Sequence, residues 1–193
     1  MIVQFSASES DIKSNIGYFR QIAEAIKEEG CEFSIDWIEE AYQASQEIVK
    51  TGEDKRDWVA IHKSIIDGLK RADLCIFEAS TKSFAVGFQT ALALQMQKPI
   101  LVLTRNQSLR DTFGAGIVSD LLTYKAYTKD SIGTIVGEFI KSNNLHLQDL
   151  RFNFVIDREI HNYLRWAAFY ANTTRAEIVR RALRAKISET NGQ

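Results

Sequence analysis

The fold is decided by residues 72–103, which read ADLCIFEASTKSFAVGFQTALALQMQKPILVL. Residues 74–77 and 99–104 have the length and apolar composition of buried strands, and residues 86–96 between them have the length of a helix. A helix between two short strands is typical of the crossover that joins parallel strands. The stretch therefore predicts a strand–helix–strand unit within a parallel sheet.

Strand-like and helix-like periods alternate on both sides of this unit. The predicted strands are residues 2–7, 32–38, 74–77, 99–104 and 121–127, and the predicted helices are 12–29, 59–69, 86–96 and 132–140. A polar stretch at 44–56 fits neither pattern. The alternation predicts an α/β fold with a doubly wound, mostly parallel sheet of the flavodoxin-like or Rossmann-like kind over residues 1–142, with ligands at the carboxyl ends of its strands.

The C-terminal stretch, RFNFVIDREIHNYLRWAAFYANTTRAEIVRRALRAKI from Arg151, has a different organisation. Apolar and polar residues alternate up to Ile156, which predicts one short strand. Asp157 can cap a following helix, and Thr174 with Glu177 has the spacing of a capping box that opens a second helix. The segment is predicted as strand, helix, turn, helix over 151–188, after a polar linker at 143–150 and before a disordered tail at 189–193.

A strand and two helices of this size cannot bury enough apolar surface alone, and a single strand leaves its backbone groups unpaired. Two copies of the chain solve both problems, so we expect a homodimer or a higher homo-oligomer. The order and spacing of the segment resemble the ribbon-helix-helix family that includes the Arc repressor, in which two chains pair their strands into an antiparallel ribbon. The resemblance covers about 37 residues.

The resemblance implies DNA as a partner, because the ribbon of that family enters the major groove. It places Arg151, Asn153 and Val155 against base edges, where Arg suits guanine, Asn suits adenine and Val suits a thymine methyl group. It places Thr173, Thr174 and Arg175 against a phosphate at the start of the second helix.

The charge distribution favours DNA over the alternative that the tail only dimerises the chain. Residues 1–150 carry 16 Lys and Arg against 21 Asp and Glu, whereas residues 151–193 carry 8 against 4. The chain as a whole has a net charge of −1. A polyanion would therefore meet the C-terminal part.

The N-terminal part resembles the nucleoside 2-deoxyribosyltransferase superfamily, which includes the deoxynucleotide N-glycosidases. The resemblance spans about residues 1–142; it is carried by 72–103, by FSAS after the first strand, and by the Ser-x-x-x-Gly-Phe turn at 83–88. It implies a nucleoside or nucleotide as ligand. The residues expected to contact this ligand are Ser6, Ser8, Asp36, Trp37, Ser83, Gly87 and Gln89.

The catalytic carboxylates of that superfamily are replaced here. Gln89 stands at the position of the nucleophilic glutamate, and a neutral amide cannot form a glycosyl ester. Ile65 stands at the position of a second carboxylate, and Ala85 replaces a glycine of the turn. Glu78 is the remaining candidate for substituted chemistry. We therefore expect no catalytic residue and interpret the domain as an inactive nucleotide-binding sensor, although an active enzyme remains the alternative.

Other chemistries lack a motif. The sequence contains no dinucleotide-binding glycine fingerprint and no Walker loop, and its three histidines have no ligand or triad spacing. Cys31 and Cys75 have no metal spacing, so we expect no cofactor, no metal and reduced thiols. The absence of a basic leader and of a long apolar stretch predicts a cytoplasmic protein without a membrane partner.

The combination predicts a DNA-binding transcriptional regulator with a catalytically inactive nucleoside or nucleotide sensor. An alternative is an N-glycosidase or deoxyribosyltransferase that uses the C-terminal segment to oligomerise. A third possibility is an antitoxin-like or defence-associated protein, since ribbon-helix-helix segments occur in such proteins.

Overall fold

A computed structural model describes residues 1–106, 119–146 and 155–191. The chain divides into two compact units, Met1–Asp149 and Leu150–Gln193.

The first unit contains a five-stranded sheet in the order β2-β1-β3-β4-β5. The strands are β1 (Ile2–Ala7), β2 (Glu32–Phe33), β3 (Leu74–Glu78), β4 (Ile100–Thr104) and β5 (Leu122–Ala126). Every neighbouring pair is parallel. The predicted α/β class with a doubly wound parallel sheet is confirmed, and the strand order is the flavodoxin-like one.

Five helices of the described residues cover this sheet. They are α1 (Ile12–Glu28), α2 (Ile38–Thr51), α3 (Trp58–Arg71), α4 (Phe84–Gln95) and α5 (Ile132–His146), the last preceded by the 3-10 turn Lys129–Ser131. Asp57 caps α3 by accepting a hydrogen bond from the Ala60 amide at 3.0 Å. Gly30 ends the α1 region with a φ of 71°, a conformation that favours glycine.

Three boundaries differ from the sequence prediction. The second strand is only Glu32–Phe33, because Ile38 already belongs to α2. The polar stretch at 44–56 lies mostly in α2, which buries only Ile38 and Ala41. Helix α5 runs to His146, into the residues predicted as linker.

The sheet is buried on both faces by two separate apolar clusters. Val3 and Phe5 of β1 and Ile76 of β3 pack with α1 and α5. Cys75 and Phe77, one position along β3, pack on the other face with α3 and α4. Since neighbouring side chains of a strand point to opposite faces, this alternation assigns every strand residue to one helical layer.

The second unit contains two packed helices, α6 (Arg158–Tyr170) and α7 (Arg175–Asn191). Asp157 caps α6 as predicted, accepting from the Ile160 amide at 2.8 Å. The Thr174 hydroxyl accepts from the Glu177 amide at 3.2 Å, which is one half of the predicted capping box. The Glu177 carboxylate instead lies 3.4–3.5 Å from two arginines of α7.

Most of the predicted ribbon strand cannot be placed. Arg151 and Asn153, two of the predicted base readers, lie outside the described residues, as do residues 147–150 of the predicted 143–150 linker. Val155 is described and fully exposed, and neither it nor Ile156 belongs to a strand. Helix α7 continues to Asn191, into the predicted tail.

No helix in the described part of the chain is both long and apolar enough to cross a lipid bilayer.

Gly68 of α3 packs directly against β1 and offers a test of this packing. A Cβ added at Gly68 would lie 2.5 Å from Gln4 Oε1 and 2.9 Å from Ile35 Cδ1. We expect Gly68→Ala to lower the free energy of unfolding by about 1–3 kcal/mol, as overpacked cores do, measured by urea denaturation. Gly17→Ala in α1 is the matched control, because nothing lies within 4 Å of its added Cβ. It should raise stability by up to about 1 kcal/mol; equal effects of both changes would contradict this packing.

Candidate functional site

A row of polar side chains on β1 and directly after it begins the candidate site. Gln4, Ser6 and Ser8 are all at least 94% buried and point to the α3–α4 face of the sheet. The Gln4 amide donates to Ser6 Oγ at 2.9 Å, and the Ser34 hydroxyl donates to Gln4 Oε1. Buried polar groups on a central strand are costly unless they are paired. The chain therefore maintains a polar surface at this point of the core.

Gln89 of α4 faces the same region. Its side chain is only 6% exposed, and its Oε1 atom has no hydrogen-bond partner. A buried carbonyl oxygen without a donor costs about 1–3 kcal/mol. Gln89 therefore carries an unsatisfied acceptor in this region.

These residues line a cleft of about 270 Å³ at the carboxyl end of β1. This is the edge at which open parallel sheets bind their ligands. The volume lies just below the roughly 300–1,000 Å³ typical of sites for drug-sized ligands. The cleft therefore fits a ligand of nucleoside size better than a dinucleotide.

The structure brings together five of the seven predicted ligand-binding residues. Those that line the cleft are Ser6, Ser8, Trp37, Ser83 and Gln89. Asp36 is exposed beside Lys27 at 3.7 Å, and Gly87 is exposed on α4; neither lines the cleft. Ile65 and Ala85 also line it.

Trp37 and Ser83 are fixed by local hydrogen bonds. The Trp37 indole donates to the Phe5 carbonyl at 2.8 Å and its ring packs 5.9 Å from the Phe5 ring. Ser83 is the N-cap of α4, and its hydroxyl accepts from the Val86 amide at 3.3 Å. Both walls of the cleft are therefore held in place without a ligand.

Arg56 also lines the cleft. Its guanidinium donates to Glu9 at 2.6 Å and to both oxygens of Asp54 at 2.9–3.0 Å, and it lies 4.3 Å from the centre of the Trp58 ring. Hydrogen bonds to Asp54 and Glu9 raise the pKa of Arg56. Its charge is therefore already compensated by two carboxylates.

Glu78, the candidate for substituted chemistry, lies on the opposite face of the sheet. It shares the face of Ile76, which packs with α1, and it does not line the cleft. Its Oε1 accepts from Tyr127 at 2.8 Å and from Ser80, and Arg105 lies 3.8 Å away. Burial and this carboxylate raise the pKa of Tyr127. Glu78 thus belongs to a separate polar network.

The Glu78 network ties the carboxyl ends of three strands to α1. Arg105 after β4 donates to Asn15 of α1 at 2.6 Å and lies 4.2 Å from the centre of the Tyr18 ring. Glu78 Oε2 has no partner. Among the described residues, no group of three His, Cys, Asp or Glu side chains could hold a metal ion.

The sequence analysis missed several residues that line the cleft, notably Gln4, Glu40, Arg56, Trp58 and His62. Gln4 had a signal, because it continues the alternation of Ser6 and Ser8 along an otherwise apolar strand. Arg56 had no such signal, because it falls in the stretch that fitted no element.

A second group of polar residues lies at the start of α7. Thr173, Thr174 and Arg175 line a shallow depression together with Arg165 of α6. Thr174 and Arg175 are exposed. The predicted phosphate contacts therefore share one surface, to which the structure adds Arg165, which sequence analysis did not single out.

The C-terminal unit leaves large apolar side chains exposed. On α7, Leu183 and Ile187 are each 58% exposed, and on α6 the Trp166 and Phe169 rings are also exposed. An isolated two-helix unit with such a surface is typical of a module that packs against another chain.

Neither the known protein families nor the curated proteins contain a match to this chain.

The orphan oxygen of Gln89 leads to a stability prediction. Gln89→Met keeps the length of the side chain and removes the unsatisfied acceptor, so we expect the free energy of unfolding to rise by about 1–3 kcal/mol. Urea denaturation of the ligand-free protein measures it. Gln21→Met, at an exposed position of α1, is the control and should stay within about 0.5 kcal/mol of the parent. A destabilised Gln89→Met protein would show that the amide is a structural group.

Proposed function

We propose that this protein is a DNA-binding regulator whose N-terminal unit binds a nucleoside-like molecule without transforming it. Its C-terminal unit pairs with a second copy of the chain and contacts DNA. The observation that carries the proposal is Gln89, whose buried Oε1 has no hydrogen-bond partner and whose side chain lines a preformed cleft at the carboxyl edge of the sheet.

Gln89 and the β1 serines supply what a nucleoside needs for recognition. The amide oxygen can accept from an exocyclic amino group, a ring N–H or a sugar hydroxyl. Ser6 and Ser8 offer hydroxyls that donate or accept. A ligand that donates a hydrogen bond to Gln89 removes the free-energy cost of the buried, unpaired acceptor. Part of the ligand's affinity would then come from relief of this cost.

Absence of turnover follows from the same position. Glycosyl transfer through a covalent intermediate needs a carboxylate at the site of attack, and Gln89 and Ile65 stand where the resemblance places carboxylates. Two carboxylates do line the cleft, but Glu9 is tied to Arg56 at 2.6 Å. Glu40 is the exposed one of the two.

Charge favours an uncharged ligand. Of the described residues that line the cleft, Arg56 alone is an arginine or lysine, and it is paired with Glu9 and Asp54. Glu40 adds a further negative charge. A phosphate group would have to displace a carboxylate from Arg56, whereas a nucleoside would not.

The C-terminal unit supports DNA binding through its charge and its exposed surface. Residues 151–193 carry an excess of four positive charges, 8 Lys and Arg against 4 Asp and Glu. The positive end of the α7 dipole, with Arg175 and nearby Arg165, suits a backbone phosphate. The exposed Leu183 and Ile187 suit the pairing of two copies that a ribbon requires.

The ligand class is tested by calorimetric titration with the common ribonucleosides, deoxyribonucleosides and their 5′-monophosphates. We expect at least one nucleoside to bind, and to bind at least tenfold more tightly than its monophosphate. Gln89→Met should lower the affinity for that nucleoside at least tenfold, which corresponds to about 1.4 kcal/mol of binding free energy.

Two outcomes would contradict the ligand proposal. Tighter binding of the monophosphate would show that Arg56 exchanges its carboxylate partners for phosphate. If no compound binds, the proposal that the ligand is a nucleoside is wrong. The same incubations, analysed for free base, test the enzyme alternative. Base release that is lost in Glu40→Gln but retained in Gln89→Met would make the protein an enzyme with a relocated carboxylate.

DNA binding is tested by selection from a random duplex pool, followed by anisotropy titrations of the selected duplex. Arg175→Ala and Arg165→Ala should weaken all sequences alike and lower the salt slope by about 1 each, as loss of a phosphate contact does. Asn153→Ala should relax sequence preference, since Asn reads adenine edges.

Lys186→Ala is the matched control, because Lys186 is exposed on α7 and paired with Glu189 at 3.0 Å. It should leave affinity unchanged. An equal loss of affinity in Arg165→Ala, Arg175→Ala and the Lys186→Ala control, or no selected duplex at moderate salt, would reduce the C-terminal unit to an oligomerisation module.

A further inference from the structure

Helix α4 differs from the other helices of the sheet domain in having no charged face. Residues 83–97 read SFAVGFQTALALQMQ and contain no Asp, Glu, Lys or Arg. A helix that is apolar all round is normally buried all round. Val86 and Ala93 face the core and Gln89 faces the cleft, but a third side of α4 is uncovered.

The uncovered side carries two stacked aromatic rings and small residues. Phe84 is 90% exposed and Phe88 is 52% exposed, and their rings lie 6.3 Å apart and nearly parallel. Gly87 and Ala91 beside them are exposed. Exposed phenylalanines next to small residues form a surface with both projections and gaps.

We propose that this face of α4, formed by Phe84, Gly87, Phe88, Ala91 and Gln95, packs antiparallel against the same face of a second copy of the chain. A two-fold axis through the middle of α4 places Phe88 of each copy over Ala91 of the other, and Phe84 opposite Gln95. Large side chains then meet small ones, which is the self-complementarity that an isologous contact needs.

Charge also selects a second copy over another partner. A two-fold contact brings identical groups together near its axis, so charged residues there would repel, and this face has none. Lys82 directly precedes the N-cap of α4. In the antiparallel arrangement it lies beside the carboxyl end of the partner helix, where a positive charge is favourable.

This contact extends the proposed function and rests on it in one respect, namely that the C-terminal units pair. If the C-terminal units pair, the two N-terminal units are tethered at an effective concentration in the millimolar range. At such a concentration, even a contact of low intrinsic affinity between two α4 faces forms. Ala85 and Gln89 of the same helix line the cleft, so a ligand there touches the element that joins the two copies.

Cysteine cross-linking in the full chain tests the α4 contact. The native Cys31 and Cys75 are buried, and burial raises the pKa of Cys75 to about 12, so they give little background. We expect Ala91→Cys to form an interchain disulfide under copper phenanthroline at least tenfold faster than Gln21→Cys. Gln21 is exposed on α1, on the other face of the sheet.

A second substitution and a thiol assay make the test decisive. Phe88→Glu in the Ala91→Cys protein should reduce cross-linking to the Gln21→Cys rate, with an unchanged circular dichroism spectrum, because two carboxylates would meet near the axis. Equal rates for Ala91→Cys and Gln21→Cys would overturn the proposal. So would an Ala91→Cys thiol that is slow towards Ellman's reagent in the uncross-linked monomer fraction, since residues of the same chain would then cover the face.

Leu183→Cys keeps the two proposals separate. It reports the pairing of the C-terminal units, because Leu183 is exposed on α7. Cross-linking at Leu183 without cross-linking at Ala91 would contradict the α4 contact and leave the paired C-terminal units supported. Cross-linking at Ala91 without cross-linking at Leu183 would leave the α4 contact standing and remove the paired C-terminal module.

Discussion

Burial of β1 between two helical layers is the constraint on which the rest of the sheet domain depends. A central parallel strand has no solvent face, so each of its side chains must fit an apolar layer or find a polar partner. Val3 and Phe5 fit the apolar layer on one face of the sheet. Gln4, Ser6 and Ser8 instead find polar partners, in part by bonding to one another and to Ser34. The cleft exists because this polar row cannot be covered by apolar helices without loss.

The sheet separates two polar regions at its carboxyl edge. On one face, Gln89 and the β1 serines surround an open cleft; on the other, Glu78, Tyr127 and Arg105 form a closed network. Each region contains one buried oxygen without a partner. Of these two residues only Gln89 lines the cleft, because the alternation of side chains along β3 places Glu78 on the other face of the sheet.

Helix α4 would link the proposed ligand recognition to the proposed assembly, because its three sides have different surroundings. One side packs in the core, one lines the cleft, and one is exposed and uncharged. A helix with a single buried stripe could not connect a ligand to a second copy of the chain. In the C-terminal unit, capping by Asp157 and Thr174 fixes the two helix starts, and the exposed apolar residues of α7 leave the unit incomplete alone.

The sequence by itself determined the elements and their order. Apolar periodicity and end signals are local, so 72–103 predicted a strand–helix–strand unit, and Asp157 and Thr174 predicted helix starts within a residue or two. The resemblance of the N-terminal segments also selected five residues that do line one cleft. Helix α2 was not predicted, and it buries only Ile38 and Ala41.

Only the tertiary structure decided what those residues do. Gln4 of β1 meets Ser34, which follows β2, and Gly68 of α3, and Arg56 in the cleft lining pairs with Glu9, 47 positions away. Such contacts depend on how layers pack, which no local pattern encodes. The orphan state of Gln89 and the separation of Glu78 from the cleft are likewise properties of packing, because satisfaction of a buried group depends on every neighbour around it.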